Sequence, residues 1–334
     1  MSDGSNAVLL SSAALERACA AAVRGVGGSE ETAAALAAAS VQAEQRGKPA
    51  VGAAHLLDYL DALRSGRLNG APAPTMVHSR AAAISVEADA GAAQVVFDRA
   101  RPALIDSAER CGVAVLSIRN SFSAGELAHY TTQVADHGLI ALACANSPAL
   151  MAAYGARTAV TGTNPLSFAL PHSHGPRVFD QAASETAWVS VRDAAARGES
   201  IPEGWALGPD GEPTTDAAAG IDGALLPFGG VKGANIAMMV EMLATLAGGS
   251  FSLDAGPFDS GVQPPQLGLF VAAIDPAAFD PGFAERAEAH HRRLTEQHGV
   301  DFGRRKSSPA EIAIPHDVHE ALLAAARPPE RSKQ

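Results

Sequence analysis

The stretch PFGGVKGANIAMMVEMLATL, residues 227–246, constrains what this chain can fold into more than any other segment. Gly229, Gly230 and Gly233 lack a Cβ, so the backbone there is free to take positive φ or to approach another group closely. Behind them Ile236, Met239, Val240, Leu243 and Leu246 recur at helical spacing, and Gly248-Gly249 supplies a stop. A glycine turn feeding a helix N-terminus presents unbonded N–H groups and the positive end of the helix dipole, which suits a phosphate or a carboxylate. Lys232 adds a cation beside them. The same residues also read as a plain glycine loop before a core helix. Their spacing fits neither a Walker loop nor a Rossmann fingerprint.

Bulk properties narrow the function classes. At 334 residues the chain suits two domains or one large discontinuous one, and 47% hydrophobic residues give a globular composition. A formal charge of -11 argues against a non-specific nucleic-acid surface, though not against a local anion pocket. Cys19, Cys111 and Cys144 are widely spaced and include no CxxC pair, as befits thiols in a reducing cytoplasm. The start MSDGSNAVLL has no signal-peptide pattern, and no apolar run approaches the roughly 20 residues of a membrane span. The expectation is a cytoplasmic protein without membrane or nucleic-acid partners.

The local patterns predict helices over 12–24, from an N-cap at Ser29 to about 45, and over 52–64, the last ending at Gly66. Strands are predicted at 83–87, 113–117, 139–144, 166–169 and 267–274, with helices at about 92–110 and 283–297. Residues 193–223, rich in Gly, Pro and Asp, read as a long surface excursion with little structure of its own. The order predicts a mixed α/β, α+β-like fold. Thr163-Asn164-Pro165 is turn chemistry that sets polar side chains at a strand edge. Asp180 is predicted at a strand end, where its carboxylate either orients a ribose or nicotinamide amide or caps the next turn. His172 and His174 flank a Ser-Gly turn with no carboxylate or cysteine at ligand spacing, so no metal site is predicted. No Gly-x-Ser-x-Gly or His-Glu-x-x-His motif supports a hydrolase.

Several segments together resemble the type-2 malate/L-lactate dehydrogenase-like oxidoreductases, and among them the Δ1-piperideine-2-carboxylate/Δ1-pyrroline-2-carboxylate reductases. They are GVAVLSIRNS at 112–121, GTNPLSFALP at 162–171, VFDQAAS at 178–184, the glycine-rich segment 223–252, KSSPAEIAIP at 306–315 and YLDALRSGRLN at 59–69. The resemblance implies an NAD(P)H-dependent hydride-transfer enzyme, cytoplasmic and homodimeric. Its nucleotide domain would be non-Rossmann, with a largely antiparallel or mixed sheet spanning 116–284. A helical substrate and dimerisation domain would comprise 1–115 with 285–334. By the same resemblance Asn120, Ser121, Thr163, Asn164, Asp180, Ser184, Lys232 and Gly233 fall where the family contacts the dinucleotide. Arg304 and Arg305 would bind a 2′-phosphate, favouring NADPH over NADH, or else are solvated tail charges.

The chain departs from the family at the catalytic Ser-His-Gly, where it reads Ala50-Val51-Gly52. Valine has no proton to give. His55 stands where the reductases carry the arginine that pairs with the substrate carboxylate, and Phe122-Ser123-Ala124-Gly125 replaces a His-Phe-Gly. These changes put Val51 and Ser123 in the substrate pocket and leave the cofactor segments intact, which implies altered substrate chemistry. Val51 and His55 are i and i+4, so they share one helix face one turn apart, making His55 the first candidate for a relocated proton donor. An imidazole can supply a proton near neutral pH. Lys48 and His129 are further candidates. An imine that arrives as an iminium needs a weaker acid than a ketone does. The reading is therefore an NADPH-dependent reductase, or one using NADH, acting on a small cyclic imine. Its alternatives are a 2-hydroxy acid dehydrogenase with a relocated acid and a non-catalytic nucleotide-binding homologue.

Overall fold

The computed structural model describes residues 7–258, 260–303 and 308–327. The chain begins with strand β1 (Ala7–Ser11) and helices α1 (Ser12–Gly25), α2 (Glu30–Gln45) and α3 (Ala53–Ser65). Next come β2 (Thr75–Arg80), β3 (Ala83–Glu87), α4 (Ala93–Cys111), β4 (Val113–Ser121), α5 (Ala128–Ala135), β5 (Ile140–Ala145), β6 (Met151–Ala152), β7 (Ala159–Thr161), β8 (Leu166–Leu170) and β9 (Arg177–Gln181). The remainder holds α6 (Trp188–Ala196), β10 (Ala206–Leu207), β11 (Pro213–Thr214), α7 (Ala217–Asp222), β12 (Ala224–Leu225), α8 (Val231–Ala244), β13 (Leu267–Ile274), α9 (Phe283–His298), β14 (Glu311–Pro315) and α10 (His316–Ala325).

A seven-stranded sheet in the order β2-β3-β4-β13-β5-β8-β9 forms the centre. Only β3 and β4 run parallel, so this is a largely antiparallel mixed sheet and not a Rossmann sheet. β13, LGLFVAAI, is buried on both faces along nearly its whole length, which is why it reads as an unbroken apolar run. One face packs on α4 and α5 through Phe97, Leu104 and Tyr130. The other receives α8 through Val240, with Ile236 and Leu243 beside it, on Cys144 and Phe270.

α1, α2, α3 and α10 form a second layer around Leu15, Leu36, Leu56, Leu60 and Leu322. β1 pairs antiparallel with β14 and ties the two chain ends together there. Ser29 caps α2 by accepting from the Thr32 amide at 3.1 Å. The boundary drawn at 115/116 falls inside β4, and β2 and β3 belong to the same sheet as β13. α9 has no buried residue and meets the β8–β9 hairpin, whereas β14 and α10 join the helical layer.

Residues 193–223 are structured, contrary to the excursion predicted from composition. α6, α7 and a small sheet, β11-β10-β12-β6-β7, enclose Met151, Val191, Ile201 and Leu225. Two-residue strands carry too little periodicity to show through the intervening Gly and Pro residues. The buried face of α8 also differs from the one read from spacing. Ala237, Val240 and Ala244 are buried, while Met239 and Leu246 are exposed with Met238 and Met242. A helix this apolar on every side leaves periodicity little to discriminate.

Candidate active site

One end of the central sheet collects most of the residues singled out by sequence. Register places Ser121 opposite Leu267, Leu269 opposite Ala145, Cys144 opposite Leu166, and Leu166 opposite Gln181. The ends of β4, β5 and β9 and the starts of β13 and β8 therefore share one edge. Five non-glycine residues among those described have positive φ: Asp89, Ala90, Asn120, Gln266 and Asn164. All five lie at this end. Side chains rarely adopt that region, and such residues concentrate at functional sites.

Beside this edge lies a buried charge cluster. The Lys48 ammonium donates to the Asp180 main-chain oxygen at 2.9 Å and lies 3.8 Å from its carboxylate and 3.6 Å from that of Glu126. Arg46 pairs with Glu126 at 2.7 Å and reaches Thr132 of α5 at 3.3 Å. Asp180 accepts from the Ala128 amide at 2.8 Å, so its carboxylate sits at the positive end of α5. The Glu126 and Asp180 side chains are only 2% and 8% exposed, whereas Lys48 is 38% exposed and has access to water. Burial pushes both carboxyls above the usual carboxylate range, against the pull of Lys48 and Arg46. Removing either cation would leave an uncompensated buried carboxylate. Arg46 and Glu126 escaped the sequence reading, because Glu126 lies in a loop without periodicity and meets Arg46 only through the docking of α2 on α5.

Lys48 leads into a one-turn 3₁₀ helix, Pro49–Val51, and Val51 is half-buried at its end. Gly52 follows with φ -97° and ψ -136°, which breaks the helical path before α3 begins. Val51 and His55 therefore do not share a continuous helix face, and the i, i+4 reading is corrected. Glu44 accepts from the Ala53 amide at 2.8 Å, capping α3 from a distance. A Cβ on Gly52 would come 2.3 Å from that carboxylate, so a larger residue there would push Glu44 off the Ala53 amide. On α3, His55 holds Asp58 through Nδ1 at 2.8 Å and packs edge-on against Tyr59.

The other candidates separate clearly. His129 is buried, with Nδ1 on Gln42 at 3.1 Å and Nε2 on Gln133 at 3.0 Å. Burial, with Arg46 and Arg101 adding to it, pushes its pKa down to about 3. It is a neutral packing residue and no proton donor. Ser123 is buried against Tyr59, which also accepts from Gln94 at 3.2 Å. Asn164 is fully buried and donates to Ala237 at 2.9 Å and to Glu241 at 2.6 Å, locking α8 to the turn before β8. Its Nδ2 thus has a structural task, while its Oδ1 is a buried acceptor without a partner among the described residues. Ser121 is buried and bonds the Leu267 oxygen at 3.1 Å, while Asn120 donates to Glu87 at 2.6 Å.

Thr163, Ser184 and the glycine turn form one ridge. The Ala183 amide bonds Thr163 at 2.7 Å, and the Phe228 amide bonds Ala183 at 3.0 Å. Ser184 bridges Pro227 and donates to Thr186 at 2.6 Å. Gly229 and Gly230 take φ of 55° and 62° and lead into α8, whose N-terminus has no side-chain cap. Lys232 is exposed in the first turn, and a Cβ on Gly233 would strike the Phe228 oxygen at 2.2 Å. A cavity of about 540 Å³ opens beside this turn, lined in part by Tyr154, Glu185, Trp205, Gly229 and Gly230. Arg304 and Arg305 lie outside the described residues.

The profile of the malate/L-lactate dehydrogenase family matches residues 10–317. The chain belongs to that family. It is 40% identical over 285 residues to a Δ1-pyrroline-2-carboxylate/Δ1-piperideine-2-carboxylate reductase of Pseudomonas syringae pv. tomato, covering 82% of this chain and 80% of the relative. It is 37% identical over 283 residues to a (2R)-3-sulfolactate dehydrogenase (NADP(+)) of Chromohalobacter salexigens, covering 84% and 85%. The crystal structure of Δ1-piperideine-2-carboxylate reductase from the same Pseudomonas superposes with a TM-score of 0.83 at 35% identity, covering 95% of this chain and 93% of that one. This member of the malate/L-lactate dehydrogenase family is an oxidoreductase that carries Val51 where the histidine was expected, with Lys48 three residues before it against Asp180. No described helix is long and apolar enough to cross a membrane.

Proposed function

We propose that this enzyme reduces a small cyclic imine with a hydride from NADPH at the sheet edge beside Asp180, and that Lys48 is the proton-bearing group of the site. The contact between Lys48 and Asp180 carries the reading, because it brings an ionisable donor to the site where the family histidine has become Val51. Bound nicotinamide would supply the hydride. The chain supplies the charge environment. Asp180 and Glu126 favour a positive nitrogen over a neutral one nearby, which suits an iminium and gives a ketone no equivalent help. An imine that arrives neutral takes its proton from the Lys48 ammonium, and the half-exposed Lys48 recovers it from water. Hydride on carbon and proton on nitrogen together give the amine.

The residues fit a dinucleotide. The uncapped α8 N-terminus and exposed Lys232 suit a phosphate, and Asn120 Oδ1 is a buried acceptor with no partner in the chain. NADPH is favoured over NADH because a relative's name carries NADP(+), and because the family resemblance sets Arg304 and Arg305 near a 2′-phosphate. The relatives named for cyclic imine carboxylates support the substrate class. The loss of the family arginine at position 55 supports an imine whose carboxylate, if present, is held differently.

A second reading makes His55 the donor. It rests on the 2.8 Å His55–Asp58 contact, which orients the ring in the manner of a general acid. Turnover of cyclic imines by Lys48→Met and His55→Ala tests the two directly. The buried free thiols Cys19 and Cys144 accord with a cytoplasmic enzyme, and the family resemblance accords with a homodimer; sedimentation of the purified protein tests the latter.

A further inference from the structure

The tip of the β8–β9 hairpin carries His172, Ser173 and His174, and α9 lies against it. Sequence spacing offers these histidines no third ligand, but the fold supplies one from α9. One ligand atom each from His172, His174 and Glu288 lie within 4.8 Å of one another. His291, at i+3 from Glu288 and so on the same face of α9, stacks on His172 with centroids 5.8 Å apart and planes 25° apart.

We propose that this cluster is a binding site for a divalent transition ion of the zinc or nickel class, held by His172, His174 and Glu288 with water completing the shell. Two imidazoles and a carboxylate select such ions over magnesium or calcium, which prefer all-oxygen shells. The site is partly organised without the ion. Ser173 donates to Glu288 Oε1 and leaves Oε2 free to coordinate. His172 Nδ1 accepts from the His174 amide at 3.1 Å, a bond the ion replaces or a tautomer change relieves. The charge of Arg177 opposes a cation, but it is paired with Asp301 at 2.8 Å. His174 is exposed and Glu288 half-buried, which leaves an ion a way in from solvent.

The ion would act as a staple. α9 buries no residue, so ring and polar contacts hold it to the hairpin. Beyond α9, Phe302 packs on Phe179 with centroids 5.9 Å apart, and Gly303 accepts from the Val178 amide at 3.1 Å, two residues before Asp180. Fixing α9 therefore steadies the strand that carries the Asp180 carboxylate.

Isothermal titration of zinc chloride into the chelator-treated full-length protein, in a Cys111→Ser background to remove the exposed thiol, tests this. One equivalent should bind, and amide exchange across residues 283–298 should slow on binding. Glu288→Gln and His174→Ala should each weaken binding roughly tenfold or more and abolish the slowing, while His298→Ala, at the far end of α9, should change neither. No binding, or binding unaltered by both cluster variants, would overturn the proposal.

Discussion

The Lys48 ammonium sits 2.9 Å from the main-chain oxygen of Asp180 and 3.8 Å from its carboxylate. This pair joins the turn after α2 to the end of β9, so the helical layer delivers a cation to the edge of the central sheet.

Lys48→Met should lower kcat for imine reduction by about 100-fold or more, the usual loss for a proton-transfer group. The NADPH Kd should move little, and Lys48→Arg should keep the charge without restoring the rate, because a guanidinium does not release its proton. Steady-state kinetics with a fluorescence titration of NADPH separates the two effects.

Substitution distinguishes the two donors. Lys48→Met should remove most of the imine-reduction rate while His55→Ala retains it. The reverse pattern in steady-state kinetics would assign the proton to His55 instead.

His129 gives a stability prediction with a definite sign. Its pKa is about 3 in the folded protein against 6.5 for the free side chain. The unfolded chain therefore takes up a proton first as pH falls, and stability drops between pH 6.5 and 3. From pH 6.5 to 5 the loss is about 2 kcal/mol. Glu126 and Asp180, raised by burial, act with the opposite sign, losing stability as pH rises through their folded values. Urea unfolding at several pH values should show a shallower acid loss in His129→Gln than in the unsubstituted protein.

Adjacent residues in the first turn of α8 should behave differently. Lys232→Ala should raise the KM for NADPH with little change in the urea midpoint. Gly233→Ala should cost about 1–3 kcal/mol, because its Cβ has no room against the Phe228 oxygen. Equal stability losses in both variants would contradict the assignment of Lys232 to the cofactor.

Much of this architecture is written locally. Ser29 before Glu30-Glu31 marks the start of α2, and LGLFVAAI marks a buried strand whatever its partners. The glycine turn before α8 also follows from its own residues. The site is less legible because its contacts cross the chain. Glu126 meets Arg46, and Glu288 meets His172 and His174, only after separate elements dock. His55 looked aligned with Val51 because sequence spacing does not reveal that Gly52 leaves the helical path. Asn164 ties its amide nitrogen to α8 and leaves its Oδ1 unpaired, a division that the polar turn sequence does not show.

The most direct test follows the loss of reduced-nicotinamide absorbance with pyrroline and piperideine imines, with and without a 2-carboxylate, alongside 2-oxo acids, for the unsubstituted enzyme and Lys48→Met. The account predicts NADPH oxidation with the cyclic imines well above that with the oxo acids, and a rate that collapses in Lys48→Met. Turnover confined to oxo acids, no turnover of any substrate, or an undiminished imine rate in Lys48→Met would contradict it.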